Sequence, residues 1–195
     1  MIRLVGPGGA GKSTTGALLA KRLGVPFVDL DQQFKATVGN ISKFIDTHGY
    51  DAYAARNVSN YTNMLVGARD QSGVLAFSSG FMTYREDIHQ DYAGHRRDIA
   101  TDPSTFVLLP SLEFESCVAE IVRRQIGRPF RRSVEREEQV IRARFAVHRD
   151  IRAKKVETMR PVAEVVDELL VAIAAQQGAA PDAAWRRDYD ATRRG

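Results

Sequence analysis

The chain has 195 residues, a formal net charge of +4 and 44% hydrophobic residues, which suits one domain with a packed core and weakly favours anionic partners, nucleotides and nucleic acid alike. No run reaches the roughly 18 apolar residues that a membrane span requires, and the first residues lack a charged stretch followed by an apolar one, so no export signal is expected. Cys117 is the sole cysteine and the four histidines (His48, His89, His95, His148) are scattered, so neither an internal disulfide nor a metal-ligand cluster is expected, and a reducing, cytoplasmic setting fits.

Residues 2–5 are a short apolar run, read as a buried strand. It leads into GPGGAGKST, residues 6–14, which matches G-x-x-x-x-G-K-[ST] residue for residue. Glycines let the backbone turn so that several N–H groups converge on anionic oxygens, and the helix that follows aims its positive end at the same point. Lys12 adds a mobile cation for the β/γ-phosphates, and the Ser13 hydroxyl suits Mg²⁺. The expected phosphate site is Gly8, Gly9, Ala10, Gly11, Lys12, Ser13 and Thr14. A plain glycine turn would leave Lys12 and Ser13 unexplained. Residues 12–23 are expected as a helix that Gly24 stops.

The second strand is expected at 27–29, inside VPFVDLDQQF. Alternation along an extended chain puts Asp29 and Asp31 on one side, beyond a strand's carboxyl end where α/β sheets bind ligands. One carboxylate suits water around Mg²⁺; the other suits orienting an alcohol and taking its proton. The plainer alternative is that the pair caps a following helix.

Further along, the pattern predicts a helix at 56–69, strands at 74–77 and 105–109, and a helix at 112–124. A charged helix at 135–148, a weaker strand at 155–158 and a last helix at 161–175 follow. Pro161 suits that helix's first turn, and Val162, Val165, Val166, Leu169, Leu170 and Ile173 form its apolar stripe. From 123 to 155 there are twelve Lys/Arg against four Asp/Glu, a local charge of +8. This reads either as a solvated helix face with pairs such as Glu138 with Arg142, or as arginines that close over phosphates. Residues 178–195 read as a loosely packed tail, although Trp185 and Tyr189 could dock. Strand–helix alternation over this length predicts a three-layer α/β sandwich on a parallel sheet.

With the phosphate loop and the Asp-x-Asp in place, the sequence resembles the shikimate kinase family. RRQIGRPF is similar to the family's adenine-side arginine followed by its lid, with Arg124 and Arg128 in those places. RARFAVH is similar to the segment that carries the substrate-carboxylate arginine, which falls on Arg144. ETMRPVAEVV resembles the adenine-contacting loop, with Arg160 and Pro161. The resemblance implies a five-stranded parallel sheet of the nucleoside-monophosphate-kinase type, a kinase domain over 1–177, an acceptor-binding segment near 32–62 and a lid near 125–140. It implies ATP and Mg²⁺ as cofactors and phosphorylation of a small alcohol. Lys12 and Ser13 would hold the phosphates and metal, with Asp29 supporting the metal through water. Asp31 would meet the acceptor hydroxyl and Arg128 would stabilise the moving phosphoryl group.

Three departures fall on the acceptor side. GYDAYAAR places Tyr53 on the family's Phe but Ala54 on its carboxylate-gripping arginine, a contact worth on the order of 2–5 kcal/mol in a charge pair. Arg56 is the candidate substitute, although it projects about 200° round a helix from position 54. Ser78 and Ser79 precede Gly80 where the family has three glycines, and RFAVH lacks the family's Pro and Tyr. The expected acceptor pocket is Asp31, Tyr53, Arg56, Ser78, Ser79, Gly80 and Arg144, with Tyr84 nearby. The leading expectation is an ATP-dependent kinase of a small carboxylate or polyol, shikimate-kinase-like, with a gluconate-kinase-like or other sugar kinase as the alternative. A non-catalytic nucleotide sensor is the second reading. Nucleic-acid work is the third and is not expected, because no stacking platform accompanies the basic segment. A monomer is expected.

Overall fold

Short strands, two of them buried at every position, pair into one parallel sheet in the computed structural model, which describes residues 1–67, 72–126 and 134–176. Its strands are β1 (Ile2–Val5), β2 (Phe27–Asp29), β3 (Val74–Ala76), β4 (Thr105–Leu109) and β5 (Lys154–Glu157), in the order β2-β3-β1-β4-β5. The helices are α1 (Lys12–Leu23), α2 (Leu30–Thr37), α3 (Ile41–His48), α4 (Tyr50–Gly67), α5 (Tyr92–Thr101), α6 (Phe114–Ile126), α7 (Val134–Asp150) and α8 (Val162–Gln176).

Alternate residues of each strand face opposite layers, so two cores form. Leu4, Phe106, Leu108 and Val156 pack with Leu19 of α1 and with Val165, Val166 and Leu169 of α8. Val5, Leu75, Val107 and Leu109 pack with Val58 and Tyr61 of α4, Ile121 of α6, and Ile141 and Phe145 of α7. This is the expected three-layer sandwich. No helix among the described residues is long and apolar enough to cross a membrane.

Parallel pairing brings every strand's carboxyl end to one edge. Leu4 is level with Ala76, Asp29 with Ala76, Val5 with Val107, and Leu109 with Glu157. The glycine loop, Asp29, Ser78 and Thr158 therefore leave the sheet on the same side.

The structure differs from the expected pattern at four places. Asp29 and Asp31 do not share an extended strand: β2 ends at Asp29, which caps α2, and Asp31 lies in the first helical turn. Residues 30–48 hold two helices that had no apolar stripe long enough to announce them, and α3 buries none of its residues. The next helix begins at Tyr50, not near 56, and α5 was not expected because Tyr92 and Ile99 alone are buried on it. The tail lies outside the described residues, as does the 127–133 part of the lid.

Candidate active site

The glycine loop is shaped by contacts that admit no side chain. A Cβ on Gly6 would stand 2.2 Å from the Leu108 carbonyl oxygen, and Gly6 itself has φ +147°. Gly11 caps α1 with φ 89°, provides no side-chain cap, and no acidic residue follows in the first turn. The first helical bond runs from Thr15 N to Gly11 O at 2.9 Å. The helix therefore presents its amino end with neither a capping side chain nor an acidic residue in its own first turn, an arrangement that suits an anion.

The loop is buttressed from behind. Thr158 Oγ1 donates to Ala10 O at 3.0 Å, and Arg124 Nη1 donates to Gly9 O at 3.0 Å and to Thr158 Oγ1 at 3.2 Å. Arg124 Nη2 also donates to Thr158 O at 2.8 Å, and its Nε donates to Glu120 at 2.6 Å. Arg123 and Arg124 together hold the Glu120 carboxyl down at about 2. These bonds tie α6, the loop and the β5 exit into one unit through the Arg124 guanidinium. Lys12 is 8% exposed and donates through Nζ to Gly6 O at 2.7 Å and Pro7 O at 2.9 Å.

Ser13 Oγ donates to Asp29 Oδ2 at 2.5 Å, while Asp29 Oδ1 accepts from the amides of Asp31 and Gln32 at 2.9 and 3.1 Å. Asp29 thus performs the capping role and still reaches the loop serine. Two hard oxygen donors at this point suit a divalent cation whose other ligands are phosphate and water. Among the described residues no group of three or more His, Cys, Asp or Glu side chains stands ready to hold a metal alone.

Asp31 meets different partners. Its Oδ1 accepts from Tyr53 Oη at 2.9 Å and from Ser78 Oγ at 2.6 Å. Asn57 Nδ2 donates to Ser78 Oγ at 2.7 Å and to Tyr84 Oη at 3.1 Å. Ser79 is half-buried, with its Cβ 3.8 Å from where Gly8 would carry one, so it stands between the two sides of the site. Arg144 Nη2 donates to Tyr50 Oη at 2.9 Å, over Gly80, where a Cβ would stand 2.2 Å from that phenol oxygen. His148, one turn beyond Arg144, is buried and bonds Arg144 O through Nδ1 at 2.9 Å. Burial, with Lys12 and Arg144 adding to it, pushes the His148 imidazolium pKa down to about 4 against that bond.

Arg56 is exposed on α4, and Ala54 is 1% exposed and belongs to the core. Arg160 bonds Glu157 O at 3.2 Å and pairs with Glu168, at the lip of a cavity of about 290 Å³ beside β5. Pro161 is exposed just before α8, its carbonyl accepting from Glu164 N at 3.0 Å. Arg128 lies outside the described residues. Among the described residues of the basic segment, Arg142 pairs with Glu115 and Glu138, Arg149 with Asp150, and Lys154 with Glu168. Sequence reasoning missed Tyr50, Asn57 and Thr158. Tyr50, Tyr53 and Asn57 are spaced i, i+3, i+7, a signal available once the helix is begun at residue 50.

A family model described as shikimate kinase matches residues 8–174. The chain belongs to the shikimate kinase family. It is 37% identical over 87 residues to a shikimate kinase of Buchnera aphidicola subsp. Schizaphis graminum, covering 44% of this chain and 49% of that one. It is 37% identical over 94 residues to one of Pseudomonas syringae pv. syringae, covering 48% and 53%. The chain thus spans about half the length of the curated relatives it matches. Shikimate kinase from Acinetobacter baumannii, solved in complex with shikimate, aligns over 90% of this chain and 93% of that one, with a TM-score of 0.68 and 24% identity. At that identity the likeness speaks for the shared fold.

Proposed function

We propose that this chain transfers the γ-phosphoryl group of ATP to a hydroxyl of a small hydroxylated metabolite, with shikimate the first acceptor to test. The observation that carries the reading is the Ser13–Asp29 contact of 2.5 Å, which sets the phosphate loop beside the end of β2, with Asp31 two residues on in the first turn of α2. Family membership supports it.

In this reading the residues 8–14 loop and the α1 amino end bind the phosphates, and Lys12 leaves the Gly6 and Pro7 carbonyls to meet them. Mg²⁺ would be held by Ser13 and by water on Asp29, and would neutralise charge between β- and γ-phosphate oxygens. Asp31 orients the acceptor hydroxyl and receives its proton. Arg124 offers its flat guanidinium to the adenine, with Arg160 and Pro161 on the facing loop. Arg144 takes an anionic group of the acceptor, and Arg128 on the lid covers the moving phosphoryl group. The domain spans 1–177, with 32–62 as acceptor segment and 125–140 as lid, and works as a monomer in the cytoplasm.

A second reading, a gluconate or other polyol acceptor, draws support from the buried Ala54 and the exposed Arg56, because losing the second guanidinium that the family sets on shikimate's carboxylate leaves more of the recognition to the acceptor's hydroxyls. Release of ADP from ATP and Mg²⁺, followed with shikimate, gluconate and a panel of sugars and nucleosides, separates the readings. Shikimate turnover supports the first and gluconate turnover the second. ATP binding without turnover on any acceptor overturns both in favour of a sensor.

A further inference from the structure

Asp31 is gripped by hydroxyls from two separate elements, and no motif in the sequence announces it. Tyr53 on α4 and Ser78 at the β3 exit both donate to the same oxygen, Oδ1, at 2.9 and 2.6 Å. A carboxylate oxygen offers about two acceptor sites, so those of Oδ1 are filled. Among the described residues no hydrogen bond reaches Oδ2.

The direction of these bonds is also fixed. A carboxylate only accepts, so the single proton of Ser78 goes to Asp31 Oδ1, and the Ser78 oxygen takes an amide N–H of Asn57 at 2.7 Å. Asn57 is fully buried, and its amide is held by its second bond, to Tyr84 Oη. Burial, reinforced by the charge of Asp31, raises the Tyr53 phenol well above its ordinary value, so Tyr53 stays a proton donor throughout the neutral range.

We propose that Tyr53 and Ser78, the latter oriented by Asn57, are positioning residues that clamp Asp31 through Oδ1 and so present Oδ2 to the acceptor hydroxyl. This rests on the reading of Asp31 given above. In the step it serves, the acceptor oxygen bonds to the γ-phosphorus as the bond to the bridging oxygen breaks. The electron pair of that bond leaves with ADP, and the acceptor's proton passes to Oδ2. A carboxylate held on one oxygen cannot swing away from that proton, and misplacements of about an ångström at such a centre cost on the order of 10²-fold in rate.

The test is a set of isosteric changes, Tyr53→Phe and Ser78→Ala, singly and together, in the wild-type and Asp31→Asn backgrounds. ADP release is followed with shikimate as acceptor and gluconate as the second probe. The expected result is a fall in kcat of about tenfold for each single change and about 10²-fold for the pair, with the KM for ATP essentially unchanged. In the Asp31→Asn background the same changes should cost little more, because they act through the group already altered. An equal loss in that background, or a loss seen in the KM for ATP instead, overturns the proposal.

If the wild type phosphorylates neither probe, the kinase reading fails for those acceptors and the clamp is read without turnover. Proton NMR should then show exchange-protected hydroxyl resonances for Tyr53 and Ser78, each assigned by its loss in Tyr53→Phe or Ser78→Ala. Both should shift or vanish in Asp31→Ala. Resonances that ignore Asp31→Ala, or that are never protected, overturn the clamp whatever the acceptor is.

Discussion

His148 gives the account a quantitative pH dependence. It is 1% exposed, sits one turn beyond Arg144 on α7, and feels the charges of both Lys12 and Arg144. Folding holds its pKa at about 4, against 6.5 for an unperturbed histidine. Between those values the unfolded chain binds a proton that the folded chain refuses, so stability rises with pH across the interval. The contribution is fully present above pH 6.5 and is lost as the pH falls from there toward about 4. At ~1.4 kcal/mol per pH unit, a gap of that size amounts to about 3 kcal/mol, a large share of a typical domain's stability. His148→Gln keeps an amide donor for Arg144 O and cannot titrate. Urea unfolding of both proteins at pH 7 and pH 4.5 isolates the effect, since carboxylates common to both cancel. The wild type should lose about 2 kcal/mol more than His148→Gln over that range. Equal losses would refute the reasoning, because they would mean that His148 is protonated without cost in the folded state.

Other outcomes follow from individual contacts. Asp31→Asn should cut turnover about 10²-fold or more, by loss of the proton acceptor, with the KM for ATP held; unchanged turnover would remove the assigned base. Thr158→Val removes the hydroxyl that donates to Ala10 O and accepts from Arg124. It should cost about 1–3 kcal/mol in thermal or urea unfolding and weaken ATP binding by loosening the loop. Ala54→Arg places a guanidinium inside a core position, and should lower stability by more than 1 kcal/mol. An unchanged melting temperature there would mean that position 54 opens onto the acceptor site after all.

The sheet was legible mainly because β1, β2 and β4 are short runs ended by Gly6, Asp29 and Pro110, and β3 is an apolar run. The bounds of β1, β2, β4 and α1 are those expected, β3 is one residue shorter, and β5 both starts and ends one residue earlier. The helices that pack on the sheet by few residues were not legible. α3 buries nothing, and α5 holds on by Tyr92 and Ile99. The phosphate loop could be read because its chemistry is contiguous, each glycine answering to a local need such as the Leu108 carbonyl against Gly6. The acceptor side is assembled from α2, α4, the β3 exit and α7, so its neighbours are set by tertiary packing. The spacing of Tyr50, Tyr53 and Asn57 marks one helix face only once the helix is begun at residue 50, and nothing local pairs Asn57 with Ser78 or Tyr50 with Gly80; two residues along a helix turn a side chain about 200°, so Arg56 and position 54 face different ways.

The central claim is that the amino end of α1 and Lys12 hold a nucleotide's phosphates. Titration calorimetry of the wild type and Lys12→Ala with ATP and Mg²⁺ addresses it most directly. The wild type should bind one equivalent, and Lys12→Ala should bind at least tenfold more weakly, by loss of a charge-assisted contact of about 1.5–3 kcal/mol. No binding of adenine nucleotides by the wild type, with or without magnesium, or equal affinity in the two proteins, would contradict it.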